Sequence, residues 1–151
     1  MKKIVFIGAG SMVFTRNLVK DLLGINAFRD VHLCLMDIDL KRLEYSRRCV
    51  RKIVDAFDSP AKISVTADRR EALKGADGVI CTVFNGGVDI SLAEVEIPYK
   101  YGVSMNIGDT RSVGGIFRAL RNIPLMLDIC RDIEELCPKA VFLNYTNPMG
   151  M

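Results

Sequence analysis

Two glycines near the amino terminus have the spacing found in the turns that bind dinucleotides. Gly8 and Gly10 lie between an apolar run, Lys3–Ile7, and a segment whose apolar residues have helical spacing. A glycine at position 8 allows a tight turn, and one at position 10 lets the backbone approach a pyrophosphate. The N–H groups at the start of the following helix, with Ser11 beside them, are then expected to bind the phosphate oxygens.

Asp37 supplies the acidic residue that completes this pattern. It ends a second apolar run, Val31–Met36. A carboxylate in this place accepts hydrogen bonds from the adenosine ribose and repels a 2′-phosphate, so NAD is favoured over NADP. Asp39 is the alternative for this role, although its position before a helix suits capping. The pattern departs from the fingerprint at Val13, which stands where a third glycine is usual.

Three further polar segments carry candidate site residues. Asn85 follows the apolar run Gly78–Val83, where the chain is expected to pass near a nicotinamide ribose. Asp109 lies in the polar segment Asn-Ile-Gly-Asp-Thr, and Asn147 in the segment Asn-Tyr-Thr-Asn-Pro-Met. Ligands of open parallel sheets bind outside the carboxyl ends of the strands. Gly8, Asn85 and Asn147, which all follow predicted strands, are therefore expected to converge on one crevice.

Strands alternate with helices along the chain, which predicts the elements that hold these residues. The predicted strands are Lys3–Ile7, Val31–Met36, Ile63–Val65, Gly78–Val83 and Ala140–Leu143, with a further short strand at Met105–Ile107. The predicted helices are Val13–Leu23, Lys41–Phe57, Arg70–Leu73 and Leu125–Leu136. The alternation predicts an α/β fold with a doubly wound, mostly parallel sheet, which is a Rossmann-like NAD-binding domain. No linker or internal repeat interrupts it, so residues 1–151 are predicted to form one domain.

The composition excludes several function classes. Hydrophobic residues make up 50% of the 151 residues and charged residues 26%, with a net charge of +3. These values are typical of a globular domain and do not indicate nucleic-acid binding. No apolar run reaches the roughly 20 residues of a membrane span, so a soluble protein is expected. Five cysteines without a C-x-x-C pair indicate reduced thiols and a cytoplasmic protein. The one histidine, His32, is expected to be structural rather than a metal ligand.

The ordered set of motifs resembles the N-terminal half of glycoside hydrolase family 4. The motifs are Gly-Ala-Gly-Ser from Gly8, Met-Asp-Ile-Asp from Met36, and Asn-Tyr-Thr-Asn-Pro-Met from Asn144, of which the last is the most specific. The family contains NAD- and manganese-dependent α-galactosidases, α-glucosidases, α-glucuronidases and phospho-glycosidases. The resemblance implies that the chain is the NAD-binding part of a glycosidase and that its substrate is a small-molecule glycoside.

The resemblance implies hydrolysis through oxidation of the sugar, an exception to hydrolysis by two carboxylates. NAD takes a hydride from C3, which acidifies the proton on C2. Elimination, addition of water and return of the hydride complete the reaction, and Mn²⁺ stabilises the anion formed on the sugar. Asn147 matches a position whose amide contacts the sugar hydroxyls. Asp109 matches an acidic position that tunes the catalytic base without acting itself.

The resemblance also places part of the machinery elsewhere. In the family the metal ligands and the catalytic Tyr lie beyond the Asn-Pro motif. The Mn²⁺ ligands are therefore expected outside this chain, and the chain alone is expected to be inactive. Phospho-sugar members carry an Arg shortly before the dipeptide that is Ile97-Pro98 here, and residues 89–93 contain none. An unphosphorylated α-galactoside is favoured, then an α-glucoside or a uronide. The full-length enzyme is expected to be a homo-oligomer.

Two other interpretations stay open on the sequence. A lactate/malate-type NAD-dependent dehydrogenase also has a Rossmann half with Asn-Pro after a late strand, but it needs an Arg-rich loop after the fourth strand. Residues 85–89 read Asn-Gly-Gly-Val-Asp instead, which disfavours it. A nucleotide-sensing or purely structural Rossmann module is the alternative that is not an enzyme.

Overall fold

The computed structural model describes residues 1–105, 110–147 and 149–150, and strands alternate with helices through them. The strands are β1 (Lys3–Ile7), β2 (His32–Met36), β3 (Lys62–Thr66), β4 (Gly78–Cys81) and β5 (Val141–Asn144). The α-helices are α1 (Met12–Leu23), α2 (Leu40–Ala56), α3 (Arg69–Leu73), α4 (Gly87–Lys100) and α5 (Val113–Leu136), with one 3₁₀ turn at Asn26–Phe28. Nine of the elements predicted from the sequence therefore form, with ends that shift by a few residues except at α5.

The five strands make one parallel sheet in the order β3-β2-β1-β4-β5. The chain moves outward from β1 to β3 on one side and from β4 to β5 on the other. The carboxyl ends of β1 and β4 therefore form the point where the winding reverses, and Ile7 lies beside Cys81 there. Open sheets of this kind bind ligands at such a point. The predicted doubly wound, parallel α/β fold is confirmed.

The core explains why the central strands read as continuous apolar runs. Helices cover parallel sheets on both faces, so their inner strands are buried throughout. In β1 and β2 the last four residues of each strand are all buried. Val19 of α1 and Val50 of α2, each fully buried, belong to the same apolar cluster as Phe6. This packing fixes the carboxyl ends of β1 and β2, from which the candidate cofactor residues extend.

The chain divides into two compact units. Unit 1 comprises residues 1–83 and 132–145 and contains the whole sheet. Unit 2 comprises residues 84–131 and 146–151 and contains α4 and most of α5. The single domain over residues 1–151 stays a prediction.

Two helices of unit 2 differ from the sequence prediction. Helix α4 was not predicted, because it starts at a glycine, contains Pro98, and has apolar residues on opposite sides instead of one stripe. Helix α5 begins at Val113 rather than at residue 125, so Pro124 lies inside it. A proline removes one backbone hydrogen bond to the residue four positions earlier. That residue is Leu120, which is 67% exposed, so water can bind its carbonyl.

One part of the sequence prediction lies mostly outside the described residues. Residues 106–109, which include Asp109 and most of the predicted strand at Met105–Ile107, lie outside the described residues. Among the described helices, none combines the length and the apolar character needed to cross a bilayer.

Ion pairs hold the end of α5 to α3 within unit 1. The Asp132 carboxylate is buried and accepts hydrogen bonds from the guanidinium groups of Arg69, at 2.7 Å, and Arg70. Burial raises the pKa of Asp132, but the two guanidinium groups outweigh it and hold the pKa below its usual value. The carboxylate therefore stays ionised at neutral pH, and this contact fixes the helix that leads into β5.

Candidate cofactor site

The turn after β1 can only be made by glycine at position 8. Gly8 has a left-handed φ of +84°, and its N–H donates to the carbonyl of Met36 at 3.0 Å. The Thr82 hydroxyl donates to the Gly8 carbonyl, also at 3.0 Å. A Cβ on Gly8 would lie 2.8 Å from the backbone nitrogen of Val83. Glycine is therefore needed here both for its conformation and for the close approach of the chain after β4.

Replacing Gly8 with alanine is expected to destabilise unit 1 strongly. A left-handed conformation costs a non-glycine residue about 1–2 kcal/mol. Crowding against the backbone of Val83 adds about 1–3 kcal/mol, as overpacking typically does. Gly75→Ala is the matched control, because Gly75 has a φ of +68° but a Cβ added there would meet no atom within 4 Å. Urea unfolding of both variants measures the difference, and equal losses would contradict the close-approach argument.

The carboxylate of Asp37 lies against the second glycine. Its Oδ2 accepts a hydrogen bond from the Gly10 N–H at 2.7 Å, and its Oδ1 accepts one from the Asp39 N–H at 2.9 Å. A Cβ on Gly10 would lie only 2.6 Å from Oδ2, so any larger residue there would displace the Asp37 carboxylate. A carboxylate oxygen has two lone pairs. Asp37 can therefore keep both backbone bonds and still accept hydrogen bonds from ribose hydroxyls.

The structure assigns the competing carboxylate, Asp39, to helix capping. Its Oδ1 accepts hydrogen bonds from the N–H groups of Lys41 and Arg42, both at 3.0 Å, at the start of α2. These are two of the N–H groups that have no acceptor within the helix. The predicted N-cap is therefore confirmed.

A groove of about 380 Å³ lies beside this carboxylate in unit 1. It is lined by Gly10, Ser11, the first-turn residues 12–14 of α1, and Arg42 and Tyr45 of α2. The first N–H groups of a helix lack intrahelical acceptors and favour anions. Ser11 is the N-cap residue of α1, yet its side chain makes no capping hydrogen bond, so its hydroxyl can bind a phosphate oxygen. The groove therefore offers donors for a pyrophosphate next to an acceptor for a ribose.

Sequence reasoning missed Arg42 and Tyr45. They lie three residues apart on α2 and so face the same side of the helix. Their signal is positional, since they follow the capping Asp39 by three and six residues, but only the packing of α2 beside α1 shows that they reach the groove. An arginine and a tyrosine here offer flat surfaces on which a base can stack.

The departure at Val13 causes no packing problem. Val13 is 59% exposed and lines the groove, so nothing crowds the place where the fingerprint has its third glycine. The buried contact at the start of α1 is made by Thr15, whose hydroxyl donates to the Ala9 carbonyl at 2.9 Å. Thr15 was also missed from the sequence, because a threonine in a helix is usually solvent-exposed.

Asn85 and Asn147 lie in unit 2, where α5 holds both. The Asn85 amide donates to the Arg121 carbonyl at 3.1 Å, and the Arg121 guanidinium donates back to the Asn85 carbonyl at 2.9 Å. Asn147 is exposed, and its carbonyl accepts a hydrogen bond from the Asn122 amide at 2.9 Å. Asp109 lies outside the described residues. The roles of Asn85, Asp109 and Asn147 stay predictions, as does their convergence with Gly8.

The described residues do not form a metal site. No group of three or more His, Cys, Asp or Glu side chains that could hold an ion occurs within residues 1–105, 110–147 and 149–150. His32 is hydrogen-bonded to the Ser64 hydroxyl at 2.8 Å, and burial lowers the pKa of its imidazole. All five cysteines are free thiols. The side chains of the described residues therefore do not fit Mn²⁺.

A sequence model of the family 4 glycosyl hydrolases matches residues 3–151. The chain belongs to glycosyl hydrolase family 4. The match covers the described fold and site together, from the first residue of β1 to the segment that contains Asn147. Membership of this family favours the glycosidase interpretation over a dehydrogenase or a sensing module.

Individual relatives agree with this assignment. The chain is 45% identical over 151 residues to an α-galactosidase of Bacillus subtilis, covering 99% of this chain and 35% of the relative. It is 44% identical over 150 residues to an α-galactosidase of Rhizobium meliloti, covering 99% and 31%. The family 4 chain thus spans about a third of the length of the curated relatives it matches.

A solved structure shares the fold. The 6-phospho-β-glucosidase of Thermotoga maritima, whose structure contains manganese, NAD⁺ and glucose-6-phosphate, superimposes with a TM-score of 0.87. It is 28% identical in sequence, and the match covers 99% of this chain and 35% of that one. The relatives thus include enzymes for both plain and phosphorylated sugars.

Proposed function

We propose that this chain is the NAD-binding N-terminal part of a glycosidase that hydrolyses an unphosphorylated α-hexoside. The observation that carries the proposal is the Asp37 carboxylate held against Gly10 beside the groove. It offers a negatively charged acceptor next to the helix donors, which suits the ribose of NAD and disfavours a 2′-phosphate. The substrate follows from the relatives, among which α-galactosidases are 45% and 44% identical.

The groove fits the adenosine and pyrophosphate parts of NAD. The first turn of α1 and the Ser11 hydroxyl are positioned to donate to the pyrophosphate. Asp37 accepts from the ribose hydroxyls, while the flat side chains of Arg42 and Tyr45 flank the adenine. These groups are placed by α1, α2 and the end of β2, so the cofactor would meet a rigid cradle.

Asn147, Asn85 and Asp109 each have one role in the proposed reaction at the sugar. NAD, when bound, supplies the hydride acceptor for C3 of the sugar. The Asn147 amide can donate to one hydroxyl and accept from another, which orients the ring without adding charge. Asn85 contacts the cofactor, and Asp109 tunes the catalytic base. The Mn²⁺ ligands and that base lie outside this chain, and no step through the metal is assigned to the residues described here.

The absence of an arginine in the segment 89–93 supports an unphosphorylated substrate. This segment forms the first half of α4 and reads Asp-Ile-Ser-Leu-Ala. A phosphate dianion needs a positive partner, and arginine binds it in a bidentate way. Without that arginine the preferred substrate is an α-galactoside, then an α-glucoside or a uronide.

A comparison of the full-length enzyme with this chain tests the proposal. With NAD⁺ and Mn²⁺ the full-length enzyme is expected to hydrolyse nitrophenyl α-galactoside faster than the corresponding 6-phosphate. The 151-residue chain alone is expected to bind NADH without measurable turnover, because affinity for a metal falls steeply when ligands are missing. NADH fluorescence and nitrophenol release measure the two properties. Turnover by the chain alone would show that the catalytic residues are assigned wrongly.

The association and location of the enzyme are part of the same proposal. Large apolar side chains on α4 and α5 are exposed, among them Leu92, Ile116 and Leu120. Contiguous exposed apolar patches often mark interfaces, and most soluble oligomers are homo-oligomers. A homo-oligomer of the full-length enzyme is therefore proposed. Five free thiols favour a reducing compartment, the cytoplasm.

A further inference from the structure

Two neighbouring residues of α5 each hold one of the proposed ligand loops in unit 2. The Arg121 guanidinium donates through Nε to the Asn85 carbonyl at 2.9 Å, and the Asn85 amide returns a bond to the Arg121 carbonyl. The Asn122 amide donates to the Asn147 carbonyl at 2.9 Å. The two loops are far apart in the sequence, so these bonds fix them to one turn of one helix.

The guanidinium of Arg121 is itself held in place. Its Nη1 donates to the Glu94 carboxylate, which is buried on α4 and also pairs with Arg118 at 3.3 Å. A Cβ on Gly86 would lie 2.8 Å from the Arg121 Nε. The loop therefore packs directly on the guanidinium, and a left-handed φ of +95° at Gly86 lets it do so. Any shift of Arg121 must move the loop.

Each of the two residues keeps one buried polar atom without a partner. Within the described residues, Nη2 of Arg121 and Oδ1 of Asn122 make no hydrogen bond, and Asn122 is only 6% exposed. Such atoms are rare in folded proteins, and each calls for a reason other than stability. Leucine or methionine would avoid these two unpartnered atoms but would remove the donors to Asn85, Glu94 and Asn147. The polar groups that do make hydrogen bonds include those that bind the two loops, the Arg121 Nε and the Asn122 amide.

We propose that Arg121 and Asn122 are positioning residues for the two ligands. Arg121 sets the Asn85 loop for the cofactor, and Asn122 sets Asn147 for the sugar. This inference rests on the proposed function, since it takes Asn85 and Asn147 as the ligand contacts. Neither positioning residue needs to touch a ligand, because each acts through a backbone carbonyl. The effects of the two substitutions should therefore separate, although the residues are adjacent in the helix.

The test measures the Kd for NADH and the kinetic constants for the glycoside in variants of the full-length enzyme. Arg121→Lys keeps the charge but cannot bind Glu94 and Asn85 together, and it is expected to raise the Kd for NADH about tenfold with a small change in KM for the glycoside at saturating NAD⁺. Asn122→Ala is expected to lower kcat/KM for the glycoside about tenfold with the Kd for NADH unchanged. Arg131→Lys, the same change at a position where the side chain is 73% exposed, is the control and should alter neither.

The outcomes separate the inference from the function on which it rests. A wild-type enzyme that neither binds NADH nor hydrolyses the glycoside would contradict the proposed function. Suppose that the wild-type enzyme is active and each variant changes both NADH binding and glycoside turnover in parallel with its Tm. The positioning roles would then be wrong. They would also be wrong if neither variant changed either readout. Asn122→Ser replaces Asn122→Ala should the alanine variant not fold, and the same split is expected of it.

Discussion

Asp37→Ala is expected to weaken NAD binding about a hundredfold and to remove most of the preference over NADP. The substitution deletes the acceptor for the ribose hydroxyls, and a hydrogen bond to a charged group is worth about 1.5–3 kcal/mol. It also releases the Gly10 N–H, which Asp37 holds at 2.7 Å, so the second glycine loses its fixed place. Both effects act on the adenosine end of the groove.

Two further variants separate the effect of the Asp37 charge on cofactor binding from the effect of capping α2. Asp37→Asn keeps the shape of the side chain but removes the charge that repels a 2′-phosphate, so it should strengthen NADP binding. Asp39→Ala is the control, because Asp39 caps α2 through bonds to Lys41 and Arg42. It should lower stability by about 1 kcal/mol and leave the ratio of NAD to NADP affinity unchanged.

Calorimetric titration with NAD and NADP measures these affinities, and the thermal transition measures the stability. If the wild-type chain bound NADP as tightly as NAD, the role of Asp37 would be wrong. If Asp39→Ala relaxed the preference instead, the two carboxylates would have exchanged roles.

The sheet could be predicted closely because its signals are local. Lys3–Ile7 is a β-branched run that ends at a glycine, and β1 has these same bounds in the structure. Asp39 stands where a cap is needed, and it makes the capping bonds. Patterns of this kind depend on neighbours in the sequence, so composition and spacing reveal them.

The surroundings of the site could not be predicted, because they depend on packing between distant segments. The glycine fingerprint and Asp37 were found because their spacing is known from dinucleotide folds. Arg42 and Tyr45 carry no such spacing, and their places follow from how α2 packs beside α1. The same holds for Arg121, which meets Asn85 only because α5 begins at Val113, well before Pro124.

The backbone of Asn147 anchors its loop, while its side chain is exposed. Its bond to Asn122 is made by the backbone carbonyl. Removing the amide therefore leaves this anchor of the loop in place. A substitution at Asn147 changes the side chain and keeps the backbone bond to Asn122.

Asn147→Ala is accordingly expected to cut kcat/KM for the glycoside about ten- to a hundredfold in the full-length enzyme. The loss corresponds to about 1–3 kcal/mol, the usual value for a hydrogen-bonding group that orients a substrate. The Kd for NADH and the Tm should stay close to wild type, because the loop anchor survives. Asn26→Ala, the same change at an exposed position in the 3₁₀ turn, is the control. If Asn147→Ala instead abolished NADH binding or unfolded the protein, Asn147 would be a structural turn residue, and the sugar contact would have to be sought elsewhere.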